Sequence, residues 1–108
     1  DEWFEKAWAK YQGVLKRFPG SHNTMNTAAW TAARANRRLD EAEELVREAL
    51  EGLPNQAPYL DTYGEIWFCR GDREKALEWS GKAVRHDPSD SGLTRQQERF
   101  RDEAFPLD

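Results

Sequence analysis

Four kinds of side chain in this chain could do chemistry: two histidines, one cysteine, a run of carboxylates and a set of glycines. His22 and His86 stand 64 residues apart near the ends of predicted helices, and neither has metal-ligand spacing to Cys, Asp or Glu. A contact with a helix C-terminus, or a solvated ring, accounts for His86 more simply. Cys69 follows Phe68 near a helix end with no histidine pattern around it, so it reads as a small, half-buried packing residue rather than a nucleophile. As the single cysteine it excludes an internal disulfide and says little about compartment. Glu41, Glu43, Glu44 and Glu48 form one acidic helix face, read as solvated surface. Gly64, Gly71 and Gly81 are scattered through helices instead of following a strand, so they make no phosphate loop. No catalytic residue, metal ligand or cofactor is expected, and the chain does not read as an enzyme.

The elements that carry these residues are helices. With 33% charged and 38% hydrophobic residues, the composition suits amphipathic helices with solvated outer faces better than a compact sheet. Five Trp, five Phe and three Tyr supply the large apolar areas that the low mean hydropathy conceals. A net charge of -4 leaves no cationic excess for nonspecific nucleic-acid binding. No run of ~20 apolar residues is present to span a membrane. The chain opens at Asp1, inside a helical pattern and without an initiator Met, and so reads as a segment of a longer protein.

Phe4, Trp8, Tyr11 and Leu15 fall at helical spacing and predict a helix over 2–18, stopped by Pro19-Gly20. An Ala-rich helix around Trp30 is expected over 24–36. Asp40, with Glu43 three residues on, reads as the capping box of a third helix that Gly52 and Pro54 close. Leu60, Tyr63, Gly64 and Trp67 mark a fourth helix ended by Gly71. Asp72 caps a fifth, with Ala76, Leu77, Trp79, Ala83 and Val84 on its buried face and Pro88 beyond its end. A charged helix with Leu93 and Phe100 is expected over 91–103, followed by a loose tail over 104–108. No segment alternates with period two, so no strand is expected.

Ala42, Ala49 and Pro54 recur as Ala76, Ala83 and Pro88 at an offset of 34. Ala7, Tyr11 and Pro19 map onto Ala42, Val46 and Pro54 at 35, which suggests one added residue in the link near His22. A helix–turn–helix unit at this period resembles the tetratricopeptide repeat, from about residue 7 to residue 90. The second unit keeps the motif's small residues and proline at Gly64, Ala76, Ala83 and Pro88, while Ser80 stands where a large aromatic is usual. The first unit puts Trp30 at the motif's glycine and Ala33 at its tyrosine, which looks like a size exchange. The resemblance implies an all-α, right-handed superhelical array of antiparallel helix pairs. Its parts would be a leading half repeat (1–19), two repeats (23–56 and 57–90), a capping helix (91–103) and a tail.

The resemblance further implies a concave groove, lined by Thr24, Thr27, Thr31 and Arg34, then Asp61, Glu65 and Phe68, then Arg95, Arg99 and Asp102. Helical spacing independently places Asp61, Glu65 and Phe68 on one face. The family's clamp for a C-terminal carboxylate uses Lys, Asn and Arg, where this chain has Thr and acidic residues; a basic or mixed-charge peptide suits it better. In the opposing reading, Asp61 and Glu65 pair with Arg95 and Arg99 and the groove binds nothing. A second surface is the first helix, where Trp3, Phe4, Trp8 and Tyr11 exceed what one contact needs. They would pack on another helix of the same chain or on a second copy in a homodimer. Two readings follow: a module binding a protein or peptide, or a structural segment with no ligand of its own.

Overall fold

The computed structural model describes residues 2 to 106. These form six α-helices and, among the described residues, no strand: α1 (Glu2–Arg17), α2 (His22–Ala35), α3 (Leu39–Gly52), α4 (Ala57–Cys69), α5 (Arg73–His86) and α6 (Ser91–Asp102). Side chains satisfy the free amides at three of the helix starts. Ser21 accepts from the Thr24 amide at 3.3 Å, Asp72 from Lys75 at 3.0 Å and Asp90 from Gly92 at 2.8 Å. The third helix departs from expectation. Its N-cap is Arg38 in the left-handed region, with no side-chain cap bond, so the Asp40–Glu43 capping box does not form. Both carboxylates are drawn to Arg70, just past the end of α4, and Glu43 also takes the Tyr63 hydroxyl at 2.5 Å.

Links of three or four residues force neighbouring helices to fold back on each other. Thus α2 packs on α3, α4 on α5, and α1 and α6 cover the two ends. The backbones of α2 and α4, and of α4 and α6, also approach closely, whereas those of α1 and α3, and of α3 and α5, do not. The row α2–α4–α6 is therefore the tight inner layer, and α1, α3 and α5 form the looser outer one.

The core pairs small residues with large rings. Ala28, Ala29, Ala32 and Ala33 let α2 approach its neighbours, and Phe4, Trp8, Met25, Tyr59, Tyr63 and Ile66 fill the space around them. Phe4 and Trp8 stack at 5.9 Å and are both buried, and the Tyr11 hydroxyl accepts from Thr31. The broad apolar patch expected on the first helix is thus mostly consumed inside the chain. Trp3 alone of the four remains outside, 58% exposed. At the other end Phe68, Ala76 and Phe100 form a cluster that Phe105 joins, its ring 5.3 Å from Phe68 and 4.5 Å from the Arg73 guanidinium. The tail is anchored through Phe105 instead of loose; Leu107 and Asp108 lie outside the described residues.

The register of α2 also differs from expectation. Asn36 and Gly71 both take positive φ, 54° and 80°, the left-handed exit that glycine favours and asparagine tolerates. The next amide reaches back the same way in each turn, Arg37 to the Ala32 carbonyl and Asp72 to that of Trp67. The two inner helices therefore match at an offset of 35, and the added residue is Arg38 in the turn, not one near His22. At that offset Ala29, not Trp30, stands for Gly64. A Cβ at Gly64 would lie 3.0 Å from the Phe100 ring and 3.2 Å from the Ala76 carbonyl, so the closest approach belongs to the second pair. Trp30 turns out onto the inner face, and the proposed size exchange with the motif's glycine dissolves.

Phe4→Ala is expected to cost about 3–5 kcal/mol through the cavity it leaves. Trp3→Ala, one residue away and exposed, should change stability by less than about 0.5 kcal/mol. Urea denaturation of the two variants checks both.

Candidate functional site

On α2 the spacing i, i+4, i+8 aligns Asn26, Trp30 and Arg34 along one side. Asp61 and Glu65 sit at the matching turns of α4, and Arg95 and Arg99 at those of α6. These three helices touch in a row, and Arg34 from α2 and Arg99 from α6 flank Glu65 across the inner face. Asn26, Trp30, Arg34, Asp61, Arg95 and Arg99 border an open groove of about 930 Å³, with Asp90, Glu98, Asp102 and Glu103 along its α6 side.

Glu65 is the anchor beneath this face and is only 1% exposed. Arg99 donates to both of its oxygens, at 2.6 and 3.0 Å, Gln96 donates at 2.9 Å, and Arg34 lies 3.7 Å away. A carboxylate removed from water requires this density of donors. The pairing of Glu65 with Arg99, one of the two arrangements the sequence allowed, is therefore the one present. Asp61 and Arg95 do not pair; the Arg95 guanidinium donates to the Ser91 hydroxyl at 3.3 Å.

Asp61 is unlike Glu65. Its Oδ1 is buried and has no hydrogen-bond partner. Burial first, then the charges of Glu65 and Asp90, push its carboxyl up to about 7, with Arg99 opposing. The Oδ1 of Asn26 is buried and unpartnered as well, and both residues line the same groove.

Four expected groove residues lie elsewhere. Phe68 is 1% exposed, its ring 5.1 Å from Phe100 in the α4–α5–α6 cluster, so it is a core residue and not an apolar anchor. Thr27 bonds the Asn23 carbonyl, and Thr31 the Thr27 carbonyl and the Tyr11 hydroxyl, which turns that face of α2 toward its own backbone and α1. Thr24 bonds the capping hydroxyl of Ser21. Arg34, Asp61, Arg95, Arg99 and Asp102 do border the groove. Asn26 and Trp30 were not anticipated. Counting back 35 residues from Asp61 and Glu65 would have found them, but the 34-residue period from α3 to α5 hid that register.

The Cys69 thiol donates to the Ala33 carbonyl at 3.1 Å and lies 3.6 Å from Glu65. Burial and the Glu65 charge push it up to about 12, so it is a protonated packing group, as its neighbours in the sequence implied. Among the described residues no three His, Cys, Asp or Glu side chains are grouped to hold a metal ion, and no helix is long and apolar enough to cross a membrane. No protein-family model matches the chain, and no curated protein matches it at a significant level. What the fold and site define is a class: an all-α helical array with one polar groove on its inner layer.

The raised carboxyl of Asp61 has a stability consequence whose sign is fixed by linkage. The folded chain holds this proton more tightly than the unfolded chain, whose carboxyl stays near 3.8. Its contribution to stability is complete below that value and is lost as pH rises through about 7. Asp61→Asn should therefore be more stable than the parent at pH 8, by on the order of 2–4 kcal/mol, and the difference should vanish near pH 4. Thermal or urea unfolding across that range measures it.

Proposed function

We propose that the chain is a tetratricopeptide-like repeat module that holds a peptide, or an extended segment of a partner protein, along the inner face of α2, α4 and α6. A right-handed superhelical course belongs to the same reading. The observation that carries it is the groove of about 930 Å³ across α2, α4 and α6, lined by Trp30, Arg34, Asp61, Arg95 and Glu98. Trp30 adds a large half-buried ring to the same wall, the residue type that most often anchors a bound chain.

Reversing the charge at Glu65 would strand Arg99 and damage the fold, so the diagnostic substitutions are Trp30→Ala and Arg95→Glu. Short peptides selected by display against the chain should bind these variants at least about tenfold more weakly. They should bind Glu44→Lys, on the outer layer, with unchanged affinity. Equal loss with Glu44→Lys, or none with the groove variants, overturns the reading.

A structural role draws support from one observation: Trp3 and Phe18 stand at the two ends of α1 with 58% and 62% of their surface exposed. Docking of α1 on a second copy would make the mass in sedimentation rise with concentration, and Trp3→Glu would abolish that rise. A constant monomer mass sets self-association through α1 aside.

A further inference from the structure

We propose that the outward face of α1 is a docking surface for an acidic amphipathic helix of a partner protein. No residue of α1 lines the groove, so this surface stands apart from the peptide reading.

Among the described residues, the backbone of α3 runs beside those of α2 and α4, and that of α5 beside those of α4 and α6, whereas α1 runs beside α2 alone. The difference is visible position by position. At the 35-residue offset Ala7, Tyr11 and Val14 stand for Ala42, Val46 and Ala49. Those three are wholly buried in α3, where helices close on both sides, and their counterparts in α1 are only half-buried. Trp3 and Phe18 extend the open strip at its two ends. The Phe18 amide still bonds the Val14 carbonyl at 2.8 Å, which carries the helical course to that ring. Trp3, Ala7, Val14 and Phe18 thus fall at i, i+4, i+11 and i+15 on one side, over about 22 Å of helix. Rings at the ends with small residues between them make a saddle that seats another helix.

The ring at the open end is also unclaimed. Each of the other four tryptophans has a cation over it: Arg38 on Trp8, Arg34 on Trp30, Arg70 and Lys75 on Trp67, and Lys82 on Trp79. Among the described residues no cation covers Trp3, which meets Phe4 edge-on at 6.1 Å.

Charge selects the occupant. Lys6, Lys10 and Arg17 follow the strip along its open flank at i, i+4 and i+11; all three are exposed, and no carboxylate among the described residues pairs with them. Glu2 is the one acid on that flank, while Glu5 lies on the other side and is held by Arg38 at 2.9 Å. A helix with leucines on one side and Glu or Asp beside them brings its carboxylates to these cations as its apolar side meets Trp3 and Phe18. A second copy suits the face less well. Antiparallel pairing of α1 with itself, Trp3 against Phe18, brings the two Lys10 side chains to the two-fold axis. Parallel pairing sets Lys6, Lys10 and Arg17 each against its own copy. An anionic membrane would meet the same cations, but a bilayer surface does not enter the saddle at Ala7 and Val14 as a helix does.

The test is an NMR titration of the 108-residue chain, read at its five Trp indole signals, with capped helical peptides and with phosphatidylserine vesicles. One peptide has Leu at i, i+4, i+7 and i+11 flanked by Glu; a second has Lys for each Glu, and a third has Ser for each Leu. The acidic peptide is expected to shift the Trp3 signal saturably, to leave that of Trp30 in place, and to bind at least about tenfold more tightly than the other two. Trp3→Glu should lose this binding. Lys6→Glu with Lys10→Glu should invert the preference, so that the Lys peptide binds that variant better. These side chains are exposed, so the variants are expected to fold, which circular dichroism checks. Equal binding of the acidic and basic peptides overturns the proposal. So does a shift centred on Trp30, which would put the helix in the groove and leave the groove reading standing. Vesicles that shift Trp3 where no peptide does overturn it in favour of a membrane surface. A sedimentation mass that doubles without peptide, with Trp3 then unresponsive to peptide, overturns it in favour of a second copy. No shift at Trp3 with any probe overturns it and leaves the groove reading as it was.

Discussion

The inner layer depends on one buried carboxylate. Glu65 has no exposed surface to speak of, yet it is held by groups from all three inner helices: Arg99 and Gln96 from α6, Arg34 from α2, and the thiol of Cys69 one turn along α4. A charge placed there without donors would be intolerable, so the positions of α2 and α6 relative to α4 are tied to satisfying it. An apolar residue of similar size could fill the volume, but it would specify neither neighbour. The stacking of rings on the outside of this cluster, with Arg99 4.9 Å above Phe68, then packs the same guanidinium from its other face.

Around that anchor, the packing is a division of sizes. The first unit makes room with four alanines on α2, and the second does so with Gly64 against Phe100 and the Ala76 backbone. Rings from α1 and α4 fill what the alanines leave, while Phe100 and Phe105 fill the far end. Thus a chain with modest hydrophobic content still closes a core, because most of its aromatic residues sit where helices meet, Trp3 and Phe18 being the exposed exceptions. The outer layer uses a different device. Tyr63 and Trp79 meet at 4.6 Å, and Lys75 and Lys82 sit over Trp67 and Trp79 at 4.2 and 4.1 Å, so cations cover rings that α3 and α5 do not enclose.

Much of the helical framework was legible in the sequence, because the punctuation is local. Pro19-Gly20 and Gly71-Asp72 each act within one turn of themselves, and the helices beside them end where they say. The groove was legible only on α4 and α6, where Asp61, Arg95 and Arg99 fell as expected. Phe68 was misplaced because helical spacing alone cannot tell a face turned to solvent from one covered by a later helix, and α6 covers it. The capping box at Asp40 and Glu43 failed for a related reason: Arg70, thirty residues away, outcompetes the local amide for both carboxylates. Asn26 and Trp30 were missed because two offsets coexist in the chain, 35 for the elements before Arg38 and 34 for those after it.

That pair of offsets traces to a single residue, and it decides what the groove contains. One extra residue in a turn rotates the preceding helix by about 100° relative to the next. In the first unit Arg38 is that residue, taking a left-handed conformation that costs an arginine what it would not cost a glycine. Its side chain offsets the cost, bonding Glu5 at 2.9 Å and Glu41 at 3.3 Å and lying over the Trp8 ring at 5.5 Å, so it ties α1 to the start of α3. With it in place, α2 buries Met25 and its alanines and presents Asn26, Trp30 and Arg34 to the inner face. Without it, a face carrying Thr27 and Thr31 would occupy that position, and Trp30 would be driven against α4 where only a small residue fits. The polar character of the groove and the closeness of its helices are therefore set together, by a turn on the far side of the helix from the groove itself.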